Sequence, residues 1–525
     1  MKILLVEPDY RHSSSSFIMS VTNPENKKKY GDESLWYPPI GLLKLATFHR
    51  KRGDEVKFVI GCDKTVFQES GLFTNEILWD RIYITTLFTF DWKNIIKTVN
   101  FYKGAVGGSI HKIFIGGIMA SLMPEDIYEE TGIQPVVGIL NSPKKIGLDG
   151  KENIDQLPPD YSILDSRIYA INDTYYAYTT RGCINHCPWC GVSVIEPTYC
   201  NYIDIKPLIR QMRAMYGDKS RLKLMDNNIL ASPYIDQIVK DLVELGYGRG
   251  ETTNTSPPRT RMIDFNQGLE ATYINDKKIS LLDKLNIKPM RIAFDKLSYK
   301  SIYINAIRIA REHGFRDFSN YMLYNEKDTP RELYERLIIN IGLNKQWRNS
   351  YEKPTAVIYS YPMRFAPIKD KSSQKLNRNR DYVPPKKSKK IDFLYNAQWT
   401  KRFTRNIEVI KGAAHGAISP TPDLALRAIG ETYEEFISNL YMPEELLRHR
   451  NKYEARIYAN DPTRKPGTGA VENFREFILR LLKKQDKIFF EFHEAVSPCS
   501  KEIVRKVLNT SNNKEVREWL VWYLK

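Results

Sequence analysis

Two successive stretches of this chain alternate short apolar runs with helical patterns, and this alternation does most to limit the folds open to it. Over residues 1–145 the apolar runs read KILLVE, EVKFVIG, RIYITTLF, HKIFIGG and PVVGIL. Segments such as PPIGLLKLATFHRKRGD, DWKNIIKTVNFY and MPEDIYEETG have helical patterns. Strands that alternate with helices form a parallel sheet covered by helices. We therefore predict an α/β fold that begins with a doubly wound domain over residues 1–145.

The same alternation resumes after a turn-rich segment that contains NSPKK and QLPPD. Helical patterns separate most members of a second set of strand-like runs, which lie at 176–180, 221–226, 261–266, 289–295, 318–324 and 355–361. Six βα units in succession predict a partial (β/α)6 barrel of the TIM type, open because it has two units fewer than the usual eight.

The remaining segments complete the predicted domain layout. From Lys369 to Lys390 the chain carries nine Lys or Arg and two Asp, which is typical of a solvated linker or of a phosphate-binding loop. Helical patterns dominate the residues after this basic segment. The layout is a doubly wound domain at 1–145, a connector at 146–175, the barrel at 176–368, a basic linker at 369–395 and a mostly helical C-terminal domain at 396–525.

Composition limits the class of protein. Hydrophobic residues make up 42% of the 525 and charged residues 27%, as in globular proteins. The chain contains no run of about 18 apolar residues, so we expect no membrane insertion. Its 79 Lys and Arg exceed its 62 Asp and Glu, for a formal charge of +17. This excess fits a polyanionic partner such as nucleic acid, or simply a solvated basic surface.

The cysteine usage and the N-terminus indicate the compartment. Six cysteines are too few for a disulfide scaffold in a chain of this length, and three of them fall within eight positions. Glu7 and Asp9 interrupt the N-terminal apolar run, which argues against a secretory signal. We expect a cytoplasmic protein that binds a metal.

The clustered cysteines are Cys183, Cys187 and Cys190, spaced C-x3-C-x2-C directly after a predicted strand. Three thiolates so close together are a soft ligand set for an iron–sulfur cluster or for zinc. In a four-iron cluster they would leave one iron open to a substrate. A zinc site completed by His186 or Cys200 is the alternative, although no second C-x2-C is present. Cys62, Cys200 and Cys499 are isolated, and we interpret them as ordinary thiols.

Polar residues come after several of the predicted barrel strands, where βα barrels carry their chemistry. The alternative for each residue is a role as a helix cap or turn residue, since Asp and Asn favour both. The candidates are Asp226, Asn227, Asn228, Asn266, Gln267, Glu270, Asp295, Asn325 and Glu326.

The segment TTRGCINHCPWC resembles the cluster loop of the radical S-adenosylmethionine (radical SAM) superfamily, including an aromatic residue, Trp189, before the third cysteine. The resemblance implies that the three cysteines ligate a 4Fe-4S cluster whose open iron chelates S-adenosylmethionine. Reductive cleavage would then give a 5′-deoxyadenosyl radical that abstracts a substrate hydrogen. It also implies that Asp226 or Asn227 binds the methionine amino group, and that Gln267 and Asp295 lie near the ribose or the substrate.

The first domain resembles the cobalamin-binding module of one radical SAM subclass. The resemblance rests on WYPPIGLLKLATFHRKRGDEV, on Thr85 and Leu87 in a Ser-x-Leu-like segment, and on the pair Gly116 and Gly117. It implies a cobalamin whose nucleotide tail lies along these residues. The module's Asp-x-His-x-x-Gly is absent, and His12 is out of register for a histidine ligand. A doubly wound domain that binds no corrin is the alternative.

These observations lead to two functional hypotheses. The first is a radical SAM enzyme that receives electrons from a reductant such as flavodoxin or ferredoxin. With cobalamin it would transfer a methyl group, and without cobalamin it would carry out an oxidation or rearrangement. Its substrate is unknown, with nucleic acid among the candidates because of the basic charge. The second is a zinc-stabilised protein that binds nucleic acid. The C-terminal region indicates neither activity.

Overall fold

The computed structural model describes residues 1–10, 35–67, 79–348, 355–365, 393–395, 397–412, 414, 416–448, 450 and 469–525. These residues divide into two compact units, one that runs from Met1 to Lys288 and one that begins at Pro289. The division falls inside the predicted barrel. Most of the predicted basic linker lies outside the described residues, as does His12.

The first unit begins with a parallel four-stranded sheet. Its strands are β1 (Lys2–Glu7), β2 (Glu55–Ile60), β3 (Arg81–Thr86) and β4 (Ile113–Gly117), in the order β2-β1-β3-β4. Both faces of β1 are buried, as expected for a central strand between two layers of helices. The residues that alternate along β1 belong to two different cores, Ile3 and Leu5 to one and Leu4 and Val6 to the other.

Helices cover both faces of this sheet, as in a doubly wound arrangement. They are α1 (Ile40–Lys51), α2 (Trp92–Lys103), α3 (Ile118–Leu122) and α4 (Pro124–Thr131). Leu42 and Ala46 of α1 pack with Ile3 and Leu5, whereas Ile95 and Val99 of α2 pack on the opposite face. The expected fifth strand at 135–140 is wrong, because the described backbone there forms no strand.

A second parallel sheet completes the first unit. It contains β5 (Thr174–Ala177), β6 (Arg221–Leu224) and β7 (Met262–Phe265), in that order. Leu222 and Leu224 are fully buried, and the other face of the sheet carries the in-register row of Tyr176, Lys223 and Asp264. The helices that accompany the sheet are α5 (Val192–Ile195), α6 (Lys206–Tyr216), α7 (Ile235–Leu242) and α8 (Asp276–Leu282).

The second unit contains the last three predicted strands. β8 (Met290–Arg291), β9 (Asp317–Tyr324) and β10 (Val357–Arg364) form a parallel sheet in the order β10-β9-β8. Helices α9 (Lys300–Glu312) and α10 (Pro330–Gln346) alternate with them, and a capping box between Thr329 and Glu332 begins α10. Each of the six predicted strands overlaps an observed strand. The bounds differ most at β5, which ends at Ala177 and not at residue 180, and at β8, which has only two of the residues predicted over 289–295. Each half of the predicted barrel is a separate sheet of its own unit, and the barrel itself stays a prediction.

The C-terminal part of the second unit is mostly helical in its described residues, as the sequence predicts. Its helices are α11 (Lys401–Gly412), α12 (Pro422–Ile429), α13 (Tyr433–Tyr441), α14 (Ala470–Lys484), α15 (Lys487–Val496), α16 (Lys501–Thr510) and α17 (Lys514–Trp522). Across the described ranges, none of the helices combines the length and the apolar character that crossing a membrane requires.

Candidate functional site

The three clustered cysteines lie on a loop that leaves the carboxyl end of β5, and protein contacts close the base of this loop. Arg181 and Cys200 pair through both backbone hydrogen bonds, at 2.9 and 2.8 Å. Gly182 has φ +73°, and a Cβ there would lie 2.7 Å from the Thr198 carbonyl oxygen. Its N–H donates to Glu196 Oε2 at 2.6 Å. This position therefore requires the glycine of the TTRGC motif.

A part-buried ion-pair network surrounds Arg181. Its Nε donates to Asp155 Oδ2 at 2.9 Å, its Nη2 pairs with Asp155 Oδ1, and its Nη1 donates to Glu196 Oε1 at 2.7 Å. The guanidinium lies 3.6 Å from the centre of the Tyr178 ring. Lys44 of α1 also donates to Asp155 Oδ1, at 3.0 Å. One carboxylate thus joins the first domain to the start of the cysteine loop.

Asp226, which comes after β6, holds the two residues that precede Arg181. Its Oδ1 accepts the Thr179 N–H at 2.9 Å and both threonine hydroxyls at 2.7 Å, and it also accepts the Thr180 N–H. Burial raises the pKa of this carboxyl to about 6, against the opposing effect of those hydrogen bonds. Its Oδ2 is buried and has no hydrogen-bond partner among the described residues.

The cysteine side chains of the loop differ in exposure. Cys183 and Cys187 are half-buried and Cys190 is exposed, while Trp189 is half-buried. The Cys190 N–H donates to the Cys187 carbonyl at 3.0 Å. A cubane cluster usually takes four thiolates, and the three thiols of this loop supply all but one of them, so the chemistry of the loop fits such a cluster with one open iron. Within the described ranges, no three His, Cys, Asp or Glu side chains are placed so as to hold a metal ion.

A carboxylate and two amides lie beside Cys183. Glu270, beyond β7, accepts the Asn185 and Asn228 side-chain amides on Oε2, both at 2.7 Å. The Asn228 amide nitrogen is 3.7 Å from Cys183 Sγ, and the Asn185 backbone N–H donates to the same sulfur at 3.4 Å. Thr272 donates to the other Glu270 oxygen at 2.6 Å.

The other candidates after β6 and β7 lie in different surroundings. Asn227 donates to Glu196 Oε2 at 3.0 Å, so it contacts the loop base. Gln267 is exposed. Asn266 accepts the Tyr37 hydroxyl at 3.0 Å, and that hydroxyl accepts from Lys223 at 2.8 Å. Tyr37 therefore brings part of the predicted first domain onto the polar face of the second sheet.

The candidates after β8 and β9 belong to the second unit. Asp295 Oδ1 accepts the Leu323 N–H at 3.0 Å, and Asn325, which has φ +64°, donates its N–H to Asp328. Glu326 also lies after β9. These contacts tie the ends of β8 and β9 within their own sheet.

The alternative zinc ligands, His186 and Cys200, are both exposed side chains. Cys200 donates its thiol to the Tyr202 carbonyl at 3.4 Å, although its backbone belongs to the loop base. Cys62 and Cys499 are free thiols elsewhere in the described structure.

The candidate cobalamin residues line the carboxyl ends of β3 and β4. Thr85 pairs with Gly116 and Thr86 with Gly117 across the two strands. Gly117 has φ +105°, and a Cβ there would overlap the Thr86 carbonyl oxygen. A Cβ on Gly116 would meet nothing closer than 3.7 Å. The two glycines thus differ. Gly117 must be a glycine because a Cβ there would overlap β3, whereas Gly116 has space for a side chain.

Leu87 and Tyr10 meet at the same edge of the first sheet. The half-buried Leu87 packs against the core, and its N–H donates to the Tyr10 hydroxyl at 3.1 Å. Burial of the Tyr10 ring raises the pKa of that hydroxyl far above its usual value. This edge lies where the strand order reverses between β1 and β3, the usual ligand position in an open α/β sheet.

Several residues of the site could not be identified as functional from the sequence. Arg181 and Asn185 lie inside the cysteine motif, but the motif does not indicate their partners. Glu196 looks like an ordinary loop residue, and Asp155 and Lys44 lie in segments that we interpret as connector and helix. Only the fold brings these five together around one loop.

No protein-family model matches the chain, and no curated protein does. The solved structures that it resembles include the radical S-adenosylmethionine methyltransferase TsrM from Kitasatospora setae, with tryptophan and a SAM analogue bound. The two are 14% identical with a TM-score of 0.46, and the match covers 65% of this chain and 71% of that one.

Two further solved structures are similar to this chain. The cobalamin-dependent S-adenosylmethionine radical enzyme OxsB is 13% identical with a TM-score of 0.47, over 99% of this chain and 83% of that one. HydG, a maturase of the [FeFe]-hydrogenase, is 14% identical with a TM-score of 0.30, over 67% and 81%. The family that the cysteine motif resembles, the radical SAM enzymes, is also the family named for TsrM and OxsB.

Proposed function

We propose that this protein is a radical SAM enzyme in which Cys183, Cys187 and Cys190 hold a 4Fe-4S cluster. The observation that carries the proposal is the construction of the loop. Its three thiols lie beyond the carboxyl end of a parallel strand, and buried protein contacts fix its base. At that base, Arg181 pairs with two part-buried carboxylates, Asp155 and Glu196.

The residues of the loop have separate tasks in this proposal. The three cysteines would hold the cluster, which would supply the electron for reductive cleavage of S-adenosylmethionine. Arg181 and Glu196 fix the first turn of the loop through Gly182. Asp226 fixes the preceding turn through Thr179 and Thr180. Arg181 and Glu196 act as positioning residues, because they contact the loop and not the thiols, and Asp226 positions the loop through Oδ1 alone.

The residues after β6 are suited to bind the amino group of S-adenosylmethionine. Asp226 Oδ2 and Asn228 Oδ1 are both buried, and within the described structure neither has a hydrogen-bond partner. A buried acceptor without a donor is costly, and an ammonium group supplies several donors. Asn227 already donates its amide to Glu196. We therefore assign this role to Asp226, with Asn228 beside it.

The first domain supports cobalamin as a second cofactor within the same proposal. Its sheet has a reversal of strand order between β1 and β3, and the open Gly116 lies beside Thr85 at the carboxyl ends of β3 and β4. With cobalamin bound, the reaction in this proposal is methyl transfer. Flavodoxin or ferredoxin is the kind of reductant such an enzyme takes.

Anaerobic purification followed by iron, sulfide and zinc analysis tests this proposal. We expect about four iron and four sulfide per chain, and cleavage of S-adenosylmethionine to 5′-deoxyadenosine when dithionite is added. Replacement of Cys183, Cys187 and Cys190 together by Ala should abolish both. The matched control replaces Cys62, Cys200 and Cys499 by Ala and should retain iron.

A different result would favour the second hypothesis. Colourless protein with one zinc, lost when Cys200 is replaced, would identify a zinc site that includes the fourth cysteine at the loop base. Binding of nucleic acid that weakens steeply with salt would then account for the charge of +17.

A further inference from the structure

Glu270 binds two asparagine side chains through one carboxylate oxygen. The amides of Asn185 and Asn228 both lie 2.7 Å from its Oε2. Asn228 is buried, with 4% of its surface exposed, and it lies after β6, whereas Asn185 lies between the first two cysteines of the loop. The carboxylate therefore joins the end of a strand to the cysteine loop.

This carboxylate also decides which way the Asn228 amide faces. A side-chain amide can turn by 180°, which exchanges its NH2 and its carbonyl. Beside a carboxylate oxygen only the NH2 orientation is attractive, because the reverse would place two acceptors together. The second hydrogen of that NH2 is then available to Cys183, whose Sγ lies 3.7 Å away. Glu270 is in this way a positioning residue.

We propose that Asn228, oriented by Glu270, donates a hydrogen bond to the Cys183 sulfur and raises the reduction potential of the cluster. This inference rests on the proposed function, since it concerns the cluster that Cys183 would hold. Reduction adds negative charge that is shared by the sulfur ligands, and an N–H donor stabilises the more negative state. The Asn185 backbone N–H, 3.4 Å from the same sulfur, adds a second donor.

The test is redox titration of the reconstituted protein, monitored by electron paramagnetic resonance of the reduced cluster. In Asn228→Ala the side-chain donor is lost while the Asn185 backbone donor stays. We expect the equilibrium to shift up to about tenfold toward the oxidised cluster, which is about 59 mV lower for one electron. Asn228→Leu, of similar size but without a donor, should shift it in the same direction.

Asn185→Ala is the matched control. It removes the other amide from the same Glu270 oxygen but retains the backbone N–H to Cys183, so the potential should stay at the wild-type value. A wild-type potential in both Asn228 variants, with iron retained, would overturn the inference. Loss of the cluster from both variants would also overturn it, because Asn228 would then be a structural residue of the loop. Wild-type protein without iron would instead contradict the proposed function.

Discussion

Asp155 binds the guanidinium of Arg181 through both of its carboxylate oxygens, and the second cation on that carboxylate is Lys44 of α1. Burial alone would raise the pKa of Asp155, but the charges of Lys44 and Arg181 outweigh this effect and lower it to about 2. The conformation of the cysteine loop is thus linked to the packing of α1 in the first domain.

We expect Asp155→Asn to lower the free energy of unfolding by about 2 kcal/mol or more at neutral pH, because the part-buried Lys44 loses its paired carboxylate and Arg181 retains only that of Glu196. The contribution of a carboxylate with a lowered pKa is complete above its unfolded value of 3.8 and is lost as the pH falls toward about 2. Urea unfolding between pH 2 and pH 7 measures the difference.

The control for this variant is Asp149→Asn, which changes an exposed carboxylate on the same connector. It should leave the stability near wild type at every pH. A difference between wild type and Asp155→Asn that stays constant from pH 7 to pH 2 would contradict the assigned role of the charge.

The buried carboxyl of Asp226 should make stability depend on pH in the opposite direction. Its folded pKa of about 6 lies above the ordinary 3.8, so the folded state holds the proton more tightly. Stability should therefore fall as the pH rises from about 4 through about 6. Unfolding of Asp226→Asn should show a flatter profile over this window, and the exposed Asp236→Asn should match wild type. Equal slopes in all three proteins would refute the assignment.

The two adjacent glycines of β4 should respond differently to a methyl group. We expect Gly117→Ala to cost about 3 kcal/mol, because φ is +105° and the new Cβ would lie 2.9 Å from the Thr86 nitrogen. Gly116→Ala should cost less than about 1 kcal/mol, since its nearest neighbour is 3.7 Å away. Thermal unfolding of both variants measures the contrast, and equal losses would show that the strand relaxes around either residue.

The same contrast identifies the right probe for cobalamin. Gly116→Leu places a bulky side chain at the open position of the first domain, and we expect it to abolish retention of hydroxocobalamin on desalting while iron content is unchanged. Gly117→Leu would not serve, because it disturbs the pairing of β3 and β4 itself. Wild type that retains no corrin would favour a first domain without this cofactor. Retention by Gly116→Leu would place the corrin elsewhere.

The sequence predicts a strand well where an apolar run is followed by a glycine that lies at the end of the observed strand. It fails at 135–140, where Val136 donates a single hydrogen bond to the Ile115 carbonyl but no ladder continues from it. Pro135 has no N–H to donate, and Gly138 has φ +73°, so the backbone departs from an extended path on both sides. An apolar run alone does not show this.

The residues that contact the cysteine loop could not be identified from sequence patterns, for a different reason. Asp155 lies 26 residues before Arg181 and 111 residues after Lys44, and no local periodicity relates such positions. Glu270 and Asn228 were identified as polar residues at strand ends, but their shared contact depends on the pairing of β6 with β7. The cysteine spacing indicates where the chemistry lies, whereas the network that supports it depends on tertiary structure.

The hydrogen bonds that close the base of the cysteine loop are made between protein atoms. They include the Arg181–Cys200 backbone pair and the bond from the Gly182 N–H to the Glu196 carboxylate. None of them uses a thiol. Under the proposed function, we therefore expect the polypeptide to fold before iron is bound, so that cluster assembly is a late step on a folded chain. We expect repair after oxidative damage to take the same route, with a lost cluster rebuilt in place without refolding.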